Sequence, residues 1–247
     1  MTSPAPETTA TAAAKPASRW EDFMDIFYAP TSVYERRKDQ SPWPTVWIVT
    51  LLVTLVKVFT FPAIAPVRET ELRHAFEQRL AKNPSAQVSQ DVIDKQIDIQ
   101  MKVGRFTGIF FPIGVLVGAL FVWIVAKIVG TGETWHGALV VVTYATIIGA
   151  LNFIVMGVQG LMLNVSNMTN SEQLSLSVAR FMDKAATSPM LFAVAKQIDV
   201  FAIWGLVVTA IGVRVTANAS KNQAIIFAVV WFVAATLLTA GFARLSG

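Results

Sequence analysis

Four polar side chains interrupt otherwise apolar stretches and are the residues best placed to do chemistry: Lys57, Asn152, Gln159 and Asp199. A charge or an amide in hydrocarbon is costly, so such groups mark ion paths, proton relays or ligand sites, or else they bond to a neighbouring helix. Asn152 and Gln159 are seven residues apart and share one helical face. Lys57 falls near the middle of its stretch, whereas Asp199 opens another. A Lys57–Asp199 pair across a bundle is compatible with that placement. Snorkelling and interhelical hydrogen bonds explain the same residues without any reaction.

More familiar chemistry is missing. The chain has no Cys, which excludes a thiol nucleophile, a thiolate zinc site and an iron–sulfur site. Its two His residues, His74 and His136, stand 62 positions apart. HExxH, GxSxG, the P-loop and GxGxxG do not occur. The carboxylates at 91, 94 and 98 read as a solvated helix face, and Trp135-His136 reads as an interface anchor at a tight turn. The expectation is therefore a protein that is not an enzyme, with no cofactor, no metal and no nucleic-acid partner.

A second candidate surface lies nearer the N-terminus. Ser18 and Glu21 have the spacing of a capping box. Behind it, Trp20, Phe23, Met24, Phe27 and Tyr28 fall at i, i+3, i+4, i+7 and i+8, one wide apolar face. Glu21, Asp22 and Asp25 are assigned to the opposite, acidic side. Such a helix packs on a bundle or lies at the lipid interface, or else it docks an unknown protein partner. Pro30 ends it. Arg36-Arg37-Lys38 reads as a flank beside anionic lipid, and Trp43 and Trp47 read as interface anchors.

The elements that position these residues follow from composition. Of 247 residues, 54% are hydrophobic and only 15% charged, and the mean hydropathy is +0.54. That surface is too apolar for a water-facing globule. Five stretches have the length of a membrane helix, at about 45–64, 106–129, 137–163, 199–215 and 224–242. None alternates as a barrel strand does. The expected fold is all-α, a polytopic membrane bundle of five transmembrane helices with amphipathic interfacial helices, its partner being the lipid bilayer. Residues 1–19 read as a disordered tail with no signal-peptide core, 20–44 as an amphipathic segment, and 45–245 as the membrane domain. A polar insert at 66–105 reads as a helical hairpin, broken at Asn83-Pro84-Ser85 and resumed after a Ser89 cap. Residues 171–186 read as a further amphipathic helix, started by a capping box at Thr169–Glu172. Gly104, Gly108, Gly114 and Gly118 allow close helix approach, within the bundle or between two copies of the chain as a homo-oligomer.

Several segments together carry a family resemblance. They are DIFYAPTSVYE at 25–35, GETWHGALVVVTYATII at 132–148, and QIDVFAIWGLVVTAIGVRV at 197–215 followed by Lys221-Asn222-Gln223-Ala224. Over roughly residues 20–245 the chain resembles the Yip family of Ypt-interacting, five-span membrane proteins, and the D-x-F-x-x-W pattern resembles its prokaryotic branch. The resemblance implies five helices and a cytoplasmic N-terminus. In the eukaryotic branch it implies binding of Rab-type GTPases. It also implies residence in a bacterial cytoplasmic (inner) membrane. Lys and Arg counts lean the other way, with eight on the N-terminal side and eleven opposite. Two functions are expected: membrane organisation or partner recruitment, with a small-molecule or ion transporter or permease component as the alternative.

Overall fold

Helix α1 (Arg19–Tyr28) begins with the capping box its sequence predicts: the Ser18 hydroxyl accepts from the Glu21 amide, and the Glu21 carboxylate accepts from the Ser18 amide. Pro30 then opens α2 (Pro30–Arg37), where its missing N–H is one the helix would not use. The computed structural model describes residues 18–82 and 88–246, so the 1–17 part of the expected tail and the Asn83-Pro84-Ser85 break lie outside the described residues.

Helix α3 (Trp43–Lys82) does not stop where its apolar stretch ends. At 40 residues it is about 60 Å long. It passes Pro62 and Pro66 and joins the first apolar stretch to the first arm of the polar insert as one rod. Threonine hydroxyls stitch it along its length: Thr50, Thr54, Thr60 and Thr70 each donate to the carbonyl four residues earlier, Thr70 to that of Pro66. Helix α4 (Gln90–Phe106) is the returning arm, carrying an Asp98–Lys102 ion pair at 2.7 Å. One 3-10 turn at Thr107–Phe110 leads into α5 (Phe111–Ile128).

Helix α6 (Trp135–Met162), capped by Thr134, is the centre of the molecule. Half of its most apolar window is buried, against 11% for α3 and for α9 (Lys221–Ser246). It packs against α3, α5 and α8 (Val200–Thr216). Among the described residues four helices are long and apolar enough to cross a membrane, those at Trp43–Ala81, Gln90–Ile128, Trp135–Met162 and Lys221–Arg244. The fourth expected span corresponds to α8, a shorter apolar helix of 17 residues. The fold is all-α, with no strand among the described residues beyond an isolated bridge between Ser177 and Asp199.

Small residues set the closest approaches. A Cβ on Gly108 would stand 2.5 Å from the Thr54 Cα, and one on Gly160 would stand 2.6 Å from the Ala63 carbonyl oxygen. Gly104 and Gly118 likewise meet Phe61 and Val142, so three of the four predicted glycines are used inside the bundle. Gly114 faces open space.

The segment at 171–186 corrects the expected amphipathic helix. It forms two 3-10 turns, Ser171–Leu174 and Val178–Phe181, and its cap is Asn170 with Gln173 in place of Thr169 with Glu172. Serine hydroxyls compete for the backbone here: Ser175 donates to the Glu172 carbonyl at 2.7 Å and accepts from the Ser177 amide at 3.1 Å. The Val178 amide then pairs with the Ile198 carbonyl, which draws the chain away from a helical path. Helix α7 (Pro189–Gln197) follows a Ser188 cap, whose hydroxyl accepts from the Leu191 amide.

Candidate functional site

Two constellations emerge at opposite halves of the bundle. The first joins α1 and α2 to the half that holds the 129–134 turn. Asp22 is fully buried, not on an outer acidic face. Its carboxylate accepts from Arg36 at 2.8 Å and from Arg37 at 2.5 Å. The reason lies in helical geometry: Asp22 shares its stripe with Ile26, which is also buried. Arg36 and Arg37 therefore fold inward and do not form the lipid-facing basic flank expected of them. Tyr144 of α6 stands beside this acid, its hydroxyl 3.5 Å from Asp22 and 3.1 Å from Thr45. The Tyr28 hydroxyl and Arg36 hold the Asp25 carboxyl below its ordinary range. Tyr34, buried, donates to the Val141 carbonyl at 3.2 Å, and its ring fits where Gly212 has no side chain.

This ionic node divides the predicted α1 face. Phe23 and Phe27 turn inward, the Phe27 ring standing 5.5 Å from that of Trp204. Trp20, Met24 and Tyr28 form an outward row at i, i+4 and i+8, and are 63%, 64% and 73% exposed.

The second constellation is a half-open cavity of about 680 Å³ between α5, α6, α8 and α9. Asn152 and Asp199 both line it. The antiparallel register of α6 and α8, fixed where Gly212 meets Val141, brings these two residues to the same level. The Asp199 Oδ1 caps α8, accepting from the Phe201 and Ala202 amides at 2.9 and 3.0 Å. Its Oδ2 and the Asn152 Oδ1 are buried without a protein partner. Ser175, Ser177, Glu172 and Lys196 complete the polar end, with Lys196 and Glu172 paired at 2.6 Å.

The other two predicted residues do not join them. Lys57 donates to the Thr107 hydroxyl at 2.6 Å and sits 4.4 Å over the Phe153 ring, so the proposed Lys57–Asp199 pair does not form. Gln159 accepts from Arg180, which also donates to the Ser175 carbonyl at 3.1 Å, so it braces the loop that bounds the cavity.

Several further polar groups, half-buried or buried, carry no signal in the sequence. Glu71 binds Arg68, Ser171 and Lys184, tying α3 to the 171–184 segment. It borders a second cavity of about 670 Å³, and Lys196 forms part of the wall of both. Glu133, fully buried in the turn before α6, accepts from Thr216 at 2.6 Å and from the Thr134 amide at 3.1 Å. Burial outweighs those bonds and the Lys127 charge, and pushes its carboxyl up to about 7. Among the described residues no group of three or more His, Cys, Asp or Glu could hold a metal.

No curated protein and no solved structure matches the chain. The Yip1 domain profile matches residues 24–242, a range that takes in the cavity and α2 but begins after Asp22. The chain is a member of the Yip1-domain family of integral membrane proteins.

Proposed function

We propose that this protein is non-enzymatic and organises the membrane around it or recruits a partner, with α1 as its contact surface. One observation carries the reading. The row Trp20, Met24 and Tyr28 is exposed on a helix that the buried Asp22 node fixes to α2 and that Ile26, Phe23 and Phe27 pack on the bundle. A fixed row of large amphipathic side chains presents contact area without an ordering cost at the moment of contact. The same reading puts the chain in a bacterial cytoplasmic membrane with a cytoplasmic N-terminus, as the family resemblance implies. A permease role draws on a different feature, the cavity that Asn152 and Asp199 share.

The test is a photo-crosslinking residue at position 24 in native membranes, with Leu237, 63% exposed on α9, as the lipid-facing control. Met24 should yield a defined adduct that Trp20→Ala with Tyr28→Ala removes. A protein adduct identifies recruitment, and an adduct with one lipid class identifies membrane organisation. Adducts identical to those at position 237, together with solute flux in proteoliposomes that Asp199→Asn abolishes, would replace this reading with the permease.

A further inference from the structure

The cavity between α5, α6, α8 and α9 has a polar end and an apolar body. Gly114 of α5, Gly149 of α6 and Gly205 of α8 line it, and a Cβ on any of the three would meet nothing within 4 Å. Three helices thus place glycine where ordinary packing would put a side chain. Along α8 the lining runs from Asp199 to Thr209, about 15 Å at the helical rise. The polar end is at Asp199, and the far end is walled by Val142 and Gly118.

The charge balance at the polar end is specific. The charged side chains in the lining are Glu172, Lys196 and Asp199. Glu172 and Lys196 satisfy each other at 2.6 Å. Asp199 is 6% exposed, and its Oδ2 has no protein partner; neither has the Asn152 Oδ1 at the same level. Two unpartnered acceptors and one net negative charge call for a ligand with several N–H donors and a single positive charge. The volume is that of a small-molecule site and far exceeds a bare ion.

We propose that this cavity binds an amphiphile with a primary ammonium head, the head on Asp199 and Asn152 and the apolar body along Gly149, Gly205 and Gly114. The chemistry fits a free long-chain amine or an ethanolamine headgroup of the surrounding lipid. The proposal is independent of the α1 surface, because its readout is binding at the cavity and not capture at Met24.

Trp231 lines the cavity and serves as an internal reporter. Full-length protein in phosphatidylcholine nanodiscs would be titrated with 11-bromoundecylammonium, with brominated phosphatidylethanolamine, and with an 11-bromoundecyl sulfate control. Saturable quenching that Trp231→Phe removes is expected with the ammonium compound and not with the sulfate. Quenching by phosphatidylethanolamine as well assigns the site to a lipid headgroup, and its absence assigns the site to a free amine. Asp199→Asn keeps the helix cap, since Asn caps as well as Asp, but removes the charge, and should weaken binding at least about tenfold. Gly149→Leu fills the cavity and should abolish saturable binding with the melting temperature retained. Quenching that never saturates, equal quenching by the sulfate, or wild-type binding in both variants would overturn the proposal.

Discussion

Glu133 shows what a single residue can do to this molecule. Its carboxyl ordinarily ionises near 4.5, but burial in the folded chain pushes it up to about 7. The folded state therefore holds a proton that the unfolded state releases between those values. Below about 4.5 the group contributes no penalty; as pH rises through the window stability falls, and above about 7 the full penalty applies. At 1.36 kcal/mol per pH unit this is about 3 kcal/mol. Thermal unfolding in detergent should accordingly lose ground from pH 5 to pH 8. Glu133→Gln should flatten that slope and exceed wild type at pH 8, because Thr216 can turn its one hydroxyl proton to the Gly212 carbonyl and accept from the new amide. Equal slopes in the two proteins would refute the assignment. Residues of this kind were hard to read from sequence. Lys57, Asn152, Gln159 and Asp199 stood out by contrast with apolar neighbours, and two of them do meet at one cavity. Glu133, Glu71 and Asp22 lie in polar segments, where contrast carries no signal. For Asp22 the one available cue was its place four residues before Ile26.

At the scale of elements, helix class and some caps are legible because they are local. Ser18 caps its helix through a bond within three residues, whereas Ser89 stands at the start of α4 without a side-chain cap bond. What failed was local pattern overruled by tertiary pairing. At 171–186 a helical apolar spacing yields to serine hydrogen bonds and the Ser177–Asp199 bridge. The α3–α6 seam shows the converse, a tertiary feature written in small residues. Gly157 meets Thr60 and Gly160 meets the Ala63 carbonyl, one turn apart on both helices. In lipid such seams hold by close packing, not by expulsion of water. Gly160→Val places branched carbon against backbone that cannot yield, since an added Cβ already sits 2.6 Å from the Ala63 oxygen. Separating the helices should cost about 1–3 kcal/mol, or more if the seam opens along its length. Gly114→Ala, with open space around its Cβ, should leave the unfolding midpoint unchanged. The pair is compared by denaturant titration in mild detergent; similar midpoints for both variants would show that the seam does not set stability.

Over the whole molecule, the bundle and the α1–α2 pair are held together by different physics. Helices α3, α5, α6, α8 and α9 share an extended apolar core of buried valines, alanines and isoleucines. The N-terminal pair adds Ile26, Val33 and Tyr34 to that core, and the buried Asp22 carboxylate facing Arg36 and Arg37 ties its two helices to each other. Sequence reading found both parts but assigned the basic run to lipid, because two residues fourteen positions apart leave no periodic trace of their pairing. Removing one partner of a buried ion pair costs about 3–5 kcal/mol where the remaining charge loses its counter-charge, and less here, because Arg36 keeps Asp25 at 2.6 Å. The short α1 has few apolar contacts with which to offset that loss, whereas the bundle does not depend on it. Asp22→Ala should therefore loosen α1 (residues 19–28) from α2 while α2 and the bundle stay folded. Hydrogen exchange would report this as lost protection across α1 with unchanged protection in α2, α6 and α8. Uniform loss of protection would mean that the two parts form one cooperative unit. Unchanged exchange in α1 would mean that Ile26, Phe23 and Phe27 hold it without the ion pairs, and the fixed posture of the Trp20 row would then rest on packing alone.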